Sequence, residues 1–161
     1  GKLYPGFDDA FVAAMRPLAA AADFLLPNVT EACLLSGTPY RETYDEAYID
    51  ALLRAVAAPG QTVVLTGVSF DAETTGVMVY RGATEYYRHK KLATGCHGTG
   101  DVFASAFTGA LLDGRIPIDA ARIAADFVVA CIERTVQDPE HWYGVEFEPE
   151  LPGLLRALGK V

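Results

Sequence analysis

The sequence has few cysteines, few basic residues and no long apolar run. Its three cysteines, Cys33, Cys96 and Cys131, are widely spaced and odd in number, which argues against a disulfide framework and favours a reduced, cytoplasmic compartment. Thirteen Lys and Arg residues against 21 Asp and Glu residues give a net charge of −8, so we expect no nucleic-acid partner. The longest apolar runs, such as residues 127–132, are far shorter than the ~20 residues of a membrane span, so we expect no membrane segment.

Helical and strand patterns alternate along the 161 residues, of which 51% are apolar. Apolar runs at 24–26 and 62–66 predict buried strands, and the runs at 76–80 and 84–88, separated by Arg81-Gly82-Ala83, predict a hairpin. The alternation indicates an α/β fold with a mostly parallel sheet that is flanked by helices and carries one antiparallel hairpin. We expect residues 1–161 to form a single domain.

Amphipathic helices are predicted around these strands. The first begins at Asp8 or Asp9, and Pro17 is expected to kink or divide it. Its apolar stripe consists of Phe11, Met15, Leu18 and Ala22. Further helices are predicted at 30–35, from Thr43 or Asp45 to 56, from Asp101 to the glycine at 114, at 118–136 and at 149–158. Since ligands of such sheets bind beyond the carboxyl ends of strands, the loops after Leu26 and Leu65 and before Asp101 are candidate sites.

A glycine-rich loop, Gly95-Cys96-His97-Gly98-Thr99-Gly100-Asp101, leads directly into the helix predicted from Asp101. A helix start offers unsatisfied N–H donors and the positive end of the helix dipole, so the loop is a candidate anion site. It is neither a Walker A motif nor a G-x-G-x-x-G fingerprint. The alternative is a flexible turn followed by an Asp that favours the dipole.

Asp101 lies about 200° around the helix from Phe103, so it is predicted to point away from the buried stripe and toward the loop. A carboxylate beside an anion hole repels phosphate unless it has a task there. That task can be to accept the proton of a hydroxyl that attacks a γ-phosphoryl group. His97 is a candidate substrate or phosphate contact, although an ordinary hydrogen bond explains a loop histidine equally well.

Two further features fit a polyphosphate site. Asn28 and Glu31 follow a predicted strand, where they could hold hydrated Mg²⁺ against phosphates. The alternative is that they form a capping pair for the next helix. Four of the thirteen cationic residues fall within residues 81–91, and a solvated hairpin face explains them as well. They are Arg81, Arg88, Lys90 and Lys91.

Three stretches resemble the ribokinase superfamily and, within it, the pyridoxal kinase group. They are residues 23–32 with the spacing Asn28-x-x-Glu31, residues 63–67 (Val-Val-Leu-Thr-Gly), and Gly98-Thr99-Gly100-Asp101. The opening Gly1-Lys2-Leu3-Tyr4 and the late Pro139-Glu140-His141-Trp142-Tyr143-Gly144 also resemble segments of this group. The resemblance covers essentially all 161 residues, and such kinases are about twice as long, so it implies the carboxyl-terminal portion of a longer kinase with an incomplete fold.

The resemblance implies ATP-dependent phosphorylation of the 5′-hydroxymethyl group of a vitamin B6 aldehyde, alcohol or amine. Asp101 is then the general base and a substrate contact, and the anion hole consists of Gly98, Thr99 and Gly100. His97 is a second substrate contact and replaces the Thr that pyridoxal kinases often have at this position.

The resemblance also implies ATP and Mg²⁺ as cofactors and a homodimer as the assembly. Asn28 and Glu31 organise Mg²⁺ and phosphate, with Glu31 as the metal ligand, and Thr66 and Gly67 contact the nucleotide.

Two alternatives remain beside a pyridoxal kinase. One is another ribokinase-like kinase that acts on a sugar or on hydroxymethylpyrimidine. The similar hydroxymethylpyrimidine kinases commonly carry Cys at the position of Asp101, so the Asp favours B6 vitamers. The other alternative is a truncated module that binds nucleotide or a partner without turnover.

Overall fold

The computed structural model describes residues 3, 6–92, 96–138, 140–141 and 143–161. The chain divides into two compact units, Gly1–Arg88 and His89–Val161, and each is described by itself. Gly95 and the flanking residues 93–94, together with Gly1, Lys2, Tyr4, Pro139 and Trp142 of the family-like segments, lie outside the described residues. The α/β class is confirmed, whereas the single domain stays a prediction.

The first unit contains three helices and a mixed sheet. The helices are α1 (Asp9–Ala21), α2 (Val29–Ser36) and α3 (Glu46–Val56). The strands are β1 (Phe24–Leu25), β2 (Thr62–Val68), β3 (Thr74–Tyr80) and β4 (Thr84–Lys90), the last of which continues past Arg88. They lie in the order β1-β2-β3-β4, with β1 parallel and β3 antiparallel to β2. The three residues 81–83 join β3 to β4 as the predicted hairpin.

The core of the first unit lies between β2 and the helices α2 and α3. Val63, Val64 and Leu65 are completely buried, as expected of a strand that is covered on both faces. Leu52 and Ile49 of α3 form one hydrophobic cluster with Val63 and Leu65 of β2. The N-caps of these helices follow the sequence, because Asn28 accepts a hydrogen bond at the start of α2 and Asp45 does so at the start of α3.

Helix α1 differs from its predicted packing. Asp8 caps it as expected, but Pro17 does not divide it. Phe11, Met15 and Leu18, expected on the buried face, are 43%, 38% and 66% exposed. Among the described residues of α1, one is buried, Val12. Little of this unit packs against the face that carries Phe11, Met15 and Leu18.

Strand β1 also differs from the buried strand that its composition predicts. It has two half-buried residues and lies at the edge of the sheet, since the described residues place a neighbouring strand on one side of it.

A buried polar residue, Gln61, binds the end of α1 next to this edge. Gln61 donates from its amide nitrogen to the carbonyl oxygens of Ala19 and Ala22 at 2.6 and 2.7 Å.

The second unit consists mainly of α4 (Thr99–Leu112) and α5 (Pro117–Thr135), which a short connection joins and which pack against each other. They pack through small and aromatic side chains, and the completely or nearly completely buried ones are Phe107, Ala110, Ala120, Ala121 and Ala124. A 3-10 turn (Glu148–Glu150) and α6 (Leu151–Ala157) follow and contact α5. No helix in the described part of the chain combines the length and the apolarity that crossing a bilayer requires.

Two matched leucine substitutions test this distribution of buried residues. Leu52→Ala removes a completely buried side chain and is expected to lower the free energy of unfolding by about 2 to 5 kcal/mol. Leu18→Ala, on the exposed face of α1, is expected to change it by less than about 0.5 kcal/mol. Urea unfolding of both variants measures the difference, and equal losses would contradict the packing described above.

Candidate functional site

The carboxyl ends of β1 and β2 bring two of the predicted site segments together. The backbone N–H of Thr66 donates to the carbonyl oxygen of Pro27 at 2.9 Å, and Asn28 forms a parallel bridge with Thr66 just beyond β1. The parallel register therefore places the start of α2 beside the end of β2. Asn28, Glu31, Thr66 and Gly67 gather at one edge of the first unit.

Asn28 and Glu31 form a reciprocal capping box at the start of α2. Asn28 Oδ1 accepts from the backbone N–H of Glu31 at 2.9 Å, and Glu31 Oε2 accepts from the backbone N–H of Asn28 at 2.8 Å. The capping alternative is thus what the structure contains. It leaves the exposed carboxylate of Glu31 with a second oxygen that this pair does not use.

The same carboxylate is compatible with Mg²⁺ in the presence of a polyphosphate. The described part of the chain holds no cluster of three metal-ligating side chains. Mg²⁺ does not need one, because it commonly takes one or two carboxylates and completes its shell with phosphate oxygens and water. Glu31 fits such a partial ligand set.

The backbone of β2 departs from regular pairing at this edge. Thr66 pairs with Val77 and Val68 pairs with Gly76, so the register shifts at Gly67, which has a φ of 72° and is exposed. The strand predicted over 62–66 therefore continues past Gly67 to Val68, beyond this irregularity.

Two tyrosine hydroxyls that were not predicted as site groups bind this backbone. Tyr86 Oη donates to the carbonyl oxygen of Val68 at 2.9 Å, and Tyr44 Oη accepts from the backbone N–H of Ser69 at 3.1 Å. Tyr44 lies in the segment before α3, and Tyr86 belongs to the hairpin. Neither residue is part of a sequence motif that could have identified it.

The second unit contains the predicted anion loop. Helix α4 begins at Thr99, two residues earlier than predicted, and its N-cap is Gly98. Gly98 has a φ of 82°, a conformation that side-chain-bearing residues rarely adopt, and no side chain caps the helix. The first intrahelical bond runs from the N–H of Val102 to the carbonyl oxygen of Gly98 at 3.0 Å. The N–H groups of residues 99–101 therefore precede the first intrahelical bond and have no partner within the helix.

Asp101 lies in the first turn of α4, and its side chain is exposed whereas that of Phe103 is buried. This agrees with the predicted orientation away from the buried stripe. His97 is also exposed, and its carbonyl oxygen lies 4.0 Å from the point where a Cβ on Gly144 would be. The helix start, Asp101, His97 and the backbone around Gly144 thus belong to one unit.

The four cationic residues within 81–91 lie on the surface of the hairpin. Arg81, Arg88, Lys90 and Lys91 are exposed, and the guanidinium of Arg88 lies 5.1 Å from the ring centroid of Tyr86, which favours the solvated hairpin face.

The cysteines at 33 and 131 are buried, as predicted for core residues. Burial raises the pKa of the Cys131 thiol to about 11, so it is not a nucleophile at neutral pH.

Comparisons with known proteins agree on one group of kinases. The phosphomethylpyrimidine kinase family model matches residues 6–145. The pyridoxine kinase of Bacillus subtilis (strain 168) is 30% identical over 144 residues, which are 83% of this chain and 49% of that protein. The chain spans about half the length of the curated relatives it matches.

Solved structures show the same similarity. The pyridoxal kinase from Lactobacillus plantarum superposes with a TM-score of 0.86 at 32% identity, over 97% of this chain and 57% of that one. An ADP complex of Bacillus subtilis pyridoxal kinase superposes with a TM-score of 0.70 at 27% identity, over 90% of this chain and 56% of that one.

Two substitutions separate the hydrogen bonds of the capping box from the charge of Glu31. Asn28→Ala removes the acceptor for the Glu31 N–H and is expected to lower the free energy of unfolding by about 1 kcal/mol. Glu31→Gln keeps an acceptor oxygen at the same place and is expected to change it by less than about 0.5 kcal/mol. Urea unfolding measures both; a loss in Glu31→Gln as large as that in Asn28→Ala contradicts the capping assignment.

Proposed function

The chain belongs to the phosphomethylpyrimidine kinase family, and from that premise we propose that it serves in ATP-dependent phosphorylation of the 5′-hydroxymethyl group of a vitamin B6 vitamer. The resemblance to the pyridoxal kinase group is confirmed by the family match and by the relatives. Since the chain spans about half of those relatives, the activity of the 161 residues is itself part of the proposal.

The start of α4 is the observation on which the proposed chemistry depends. Three backbone N–H groups without intrahelical partners, at residues 99–101, offer hydrogen bonds to a γ-phosphoryl group at the positive end of the helix dipole. The left-handed Gly98 exposes these donors without a covering side chain. The same groups then stabilise the charge that develops on the transferred phosphoryl oxygens.

Asp101 supplies the base at the same helix start. Its exposed carboxylate is proposed to accept the proton of the vitamer's 5′-hydroxyl as the hydroxyl oxygen bonds to the γ-phosphorus. The bond from the γ-phosphorus to the bridging oxygen breaks in this transfer, and ADP leaves. His97 lies in the same loop and is proposed as a second contact to the substrate.

The edge of the first unit is proposed to contact the nucleotide through Thr66 and Gly67. Asn28 fixes the Glu31 side chain through the capping box, and the carboxylate oxygen that this box does not use is proposed to bind a cation. Mg²⁺, when bound there, would neutralise charge on the phosphates. Glu31→Gln distinguishes cation binding from capping, because the amide keeps the acceptor oxygen of the capping box and loses the negative charge.

Two features support a B6 vitamer as the acceptor. The relatives named above are pyridoxine and pyridoxal kinases, and Asp101 stands where the similar hydroxymethylpyrimidine kinases commonly carry Cys. The description of the matching family, phosphomethylpyrimidine kinase, supports a methylpyrimidine compound as the second candidate acceptor. A homodimer in the cytoplasm, as in the resembled group, completes the proposal.

An ATP-consumption assay across pyridoxal, pyridoxine, pyridoxamine, hydroxymethylpyrimidine and ribose tests the substrate class. We expect turnover with at least one B6 vitamer. Turnover with hydroxymethylpyrimidine alone would replace the proposed substrate. ATP binding without turnover on any acceptor would indicate a nucleotide-binding module instead.

Asp101→Asn tests the proposed base. The variant is expected to lose at least about 100-fold in turnover while it still binds ATP, because an amide cannot accept the hydroxyl proton. Asp119→Asn is a matched control, since Asp119 also lies in the first turn of a helix of the same unit and pairs with Arg122 at 3.9 Å. Near-full phosphorylation by Asp101→Asn would remove Asp101 from the mechanism.

A further inference from the structure

The backbone beyond Gly67 forms hydrogen bonds with side chains from three segments of the first unit, which are the segment before α3, β3 and β4. The register shift at Gly67 interrupts the ladder between β2 and β3, so the polar groups that follow need other partners. The carbonyl oxygen of Val68 accepts from Tyr86 Oη at 2.9 Å and, more weakly, from Thr75 Oγ1 at 3.3 Å. The N–H of Ser69 donates to Tyr44 Oη at 3.1 Å, and the same hydroxyl lies 3.5 Å from the carbonyl oxygen of Gly67.

The two tyrosines are held in place by a shared aromatic contact. The ring of Phe70 meets that of Tyr44 edge-on, with centroids 6.0 Å apart, and meets that of Tyr86 in the same way at 5.8 Å. Gly76 of β3 allows the close approach of Tyr86, because a Cβ at position 76 would collide with the Tyr86 ring and with the Tyr87 carbonyl oxygen. Such packing limits the positions that both hydroxyls can take.

The Tyr86 hydroxyl remains a hydrogen-bond donor at neutral pH. Burial is the main cause that raises the pKa of Tyr86 above its ordinary value, so its phenol keeps the proton that it donates to Val68 throughout the neutral range. The nearest charged group on its own strand is Arg88, which lies over the same ring.

We propose that Tyr44 and Tyr86 are positioning residues that set the backbone of residues 67–69 for contact with the nucleotide. This inference rests on the proposed function, in which Thr66 and Gly67 contact ATP. The two hydroxyls contact the backbone of Gly67 and of the two residues that follow it, Val68 and Ser69. Neither tyrosine needs to touch the nucleotide for this role.

Tyrosine-to-phenylalanine variants remove each hydroxyl and keep the ring packing. Tyr44→Phe and Tyr86→Phe are each expected to weaken MgATP binding by about three- to tenfold, the equivalent of one net hydrogen bond. Calorimetric titration of the chain with MgATP measures the dissociation constants. Where turnover is measured, KM for ATP rises while kcat and KM for the vitamer stay within twofold. Hydrogen exchange of the Ser69 amide is expected to accelerate in Tyr44→Phe.

Tyr48→Phe is the control for a role in stability alone. Tyr48 Oη donates to the carbonyl oxygen of Pro39 at 2.7 Å, whereas its ring stacks on that of Tyr44 with centroids 5.9 Å apart. Phenylalanine keeps this ring contact, so loss of the hydroxyl is expected to lower stability and to leave MgATP binding unchanged. MgATP affinities within twofold of the parent chain in both Tyr44→Phe and Tyr86→Phe contradict the inference alone. A parent chain that does not bind MgATP contradicts the proposed function and the inference together.

Discussion

The hydrogen bond from the Thr66 N–H to the Pro27 carbonyl oxygen sets the arrangement of the first unit's candidate site. It fixes the parallel register of β1 on β2, and the bridge between Asn28 and Thr66 continues that register past the strand end. A slip by one residue would turn every side chain of β1 to the other face. The capping box of α2 and the bulge at Gly67 lie side by side because of this one register.

In the second unit, helix α4 begins without a side-chain cap. Most helix starts satisfy an N–H group with Ser, Thr, Asp or Asn at the N-cap, as α2 and α3 do. Helix α4 instead has Gly98 there, and its Asp is placed three residues later. Its first backbone donors have no intrahelical partner and are the proposed anion site, and the helix packs against α5.

Much of the local structure could be predicted from the sequence. Caps at Asn28 and Asp45, the buried run in β2 and the hairpin turn follow from side-chain type and spacing, because each depends on neighbouring residues. The exposed stripe of α1 was not predictable, since its periodicity is the same whether or not another element covers it. The contacts of Tyr44 and Tyr86 depend on segments that are 25 and 18 residues away from their partners, which no local pattern encodes.

Hydrogen exchange of the amides at residues 99–101, with and without MgATP, tests the central claim most directly. The start of α5 is an internal reference, because it also lacks a side-chain cap. MgATP is expected to slow exchange at residues 99–101 and to leave exchange in the first turn of α5 unchanged. Unchanged exchange at 99–101, or equal slowing at both helix starts, would contradict the claim that the start of α4 binds the transferred phosphoryl group.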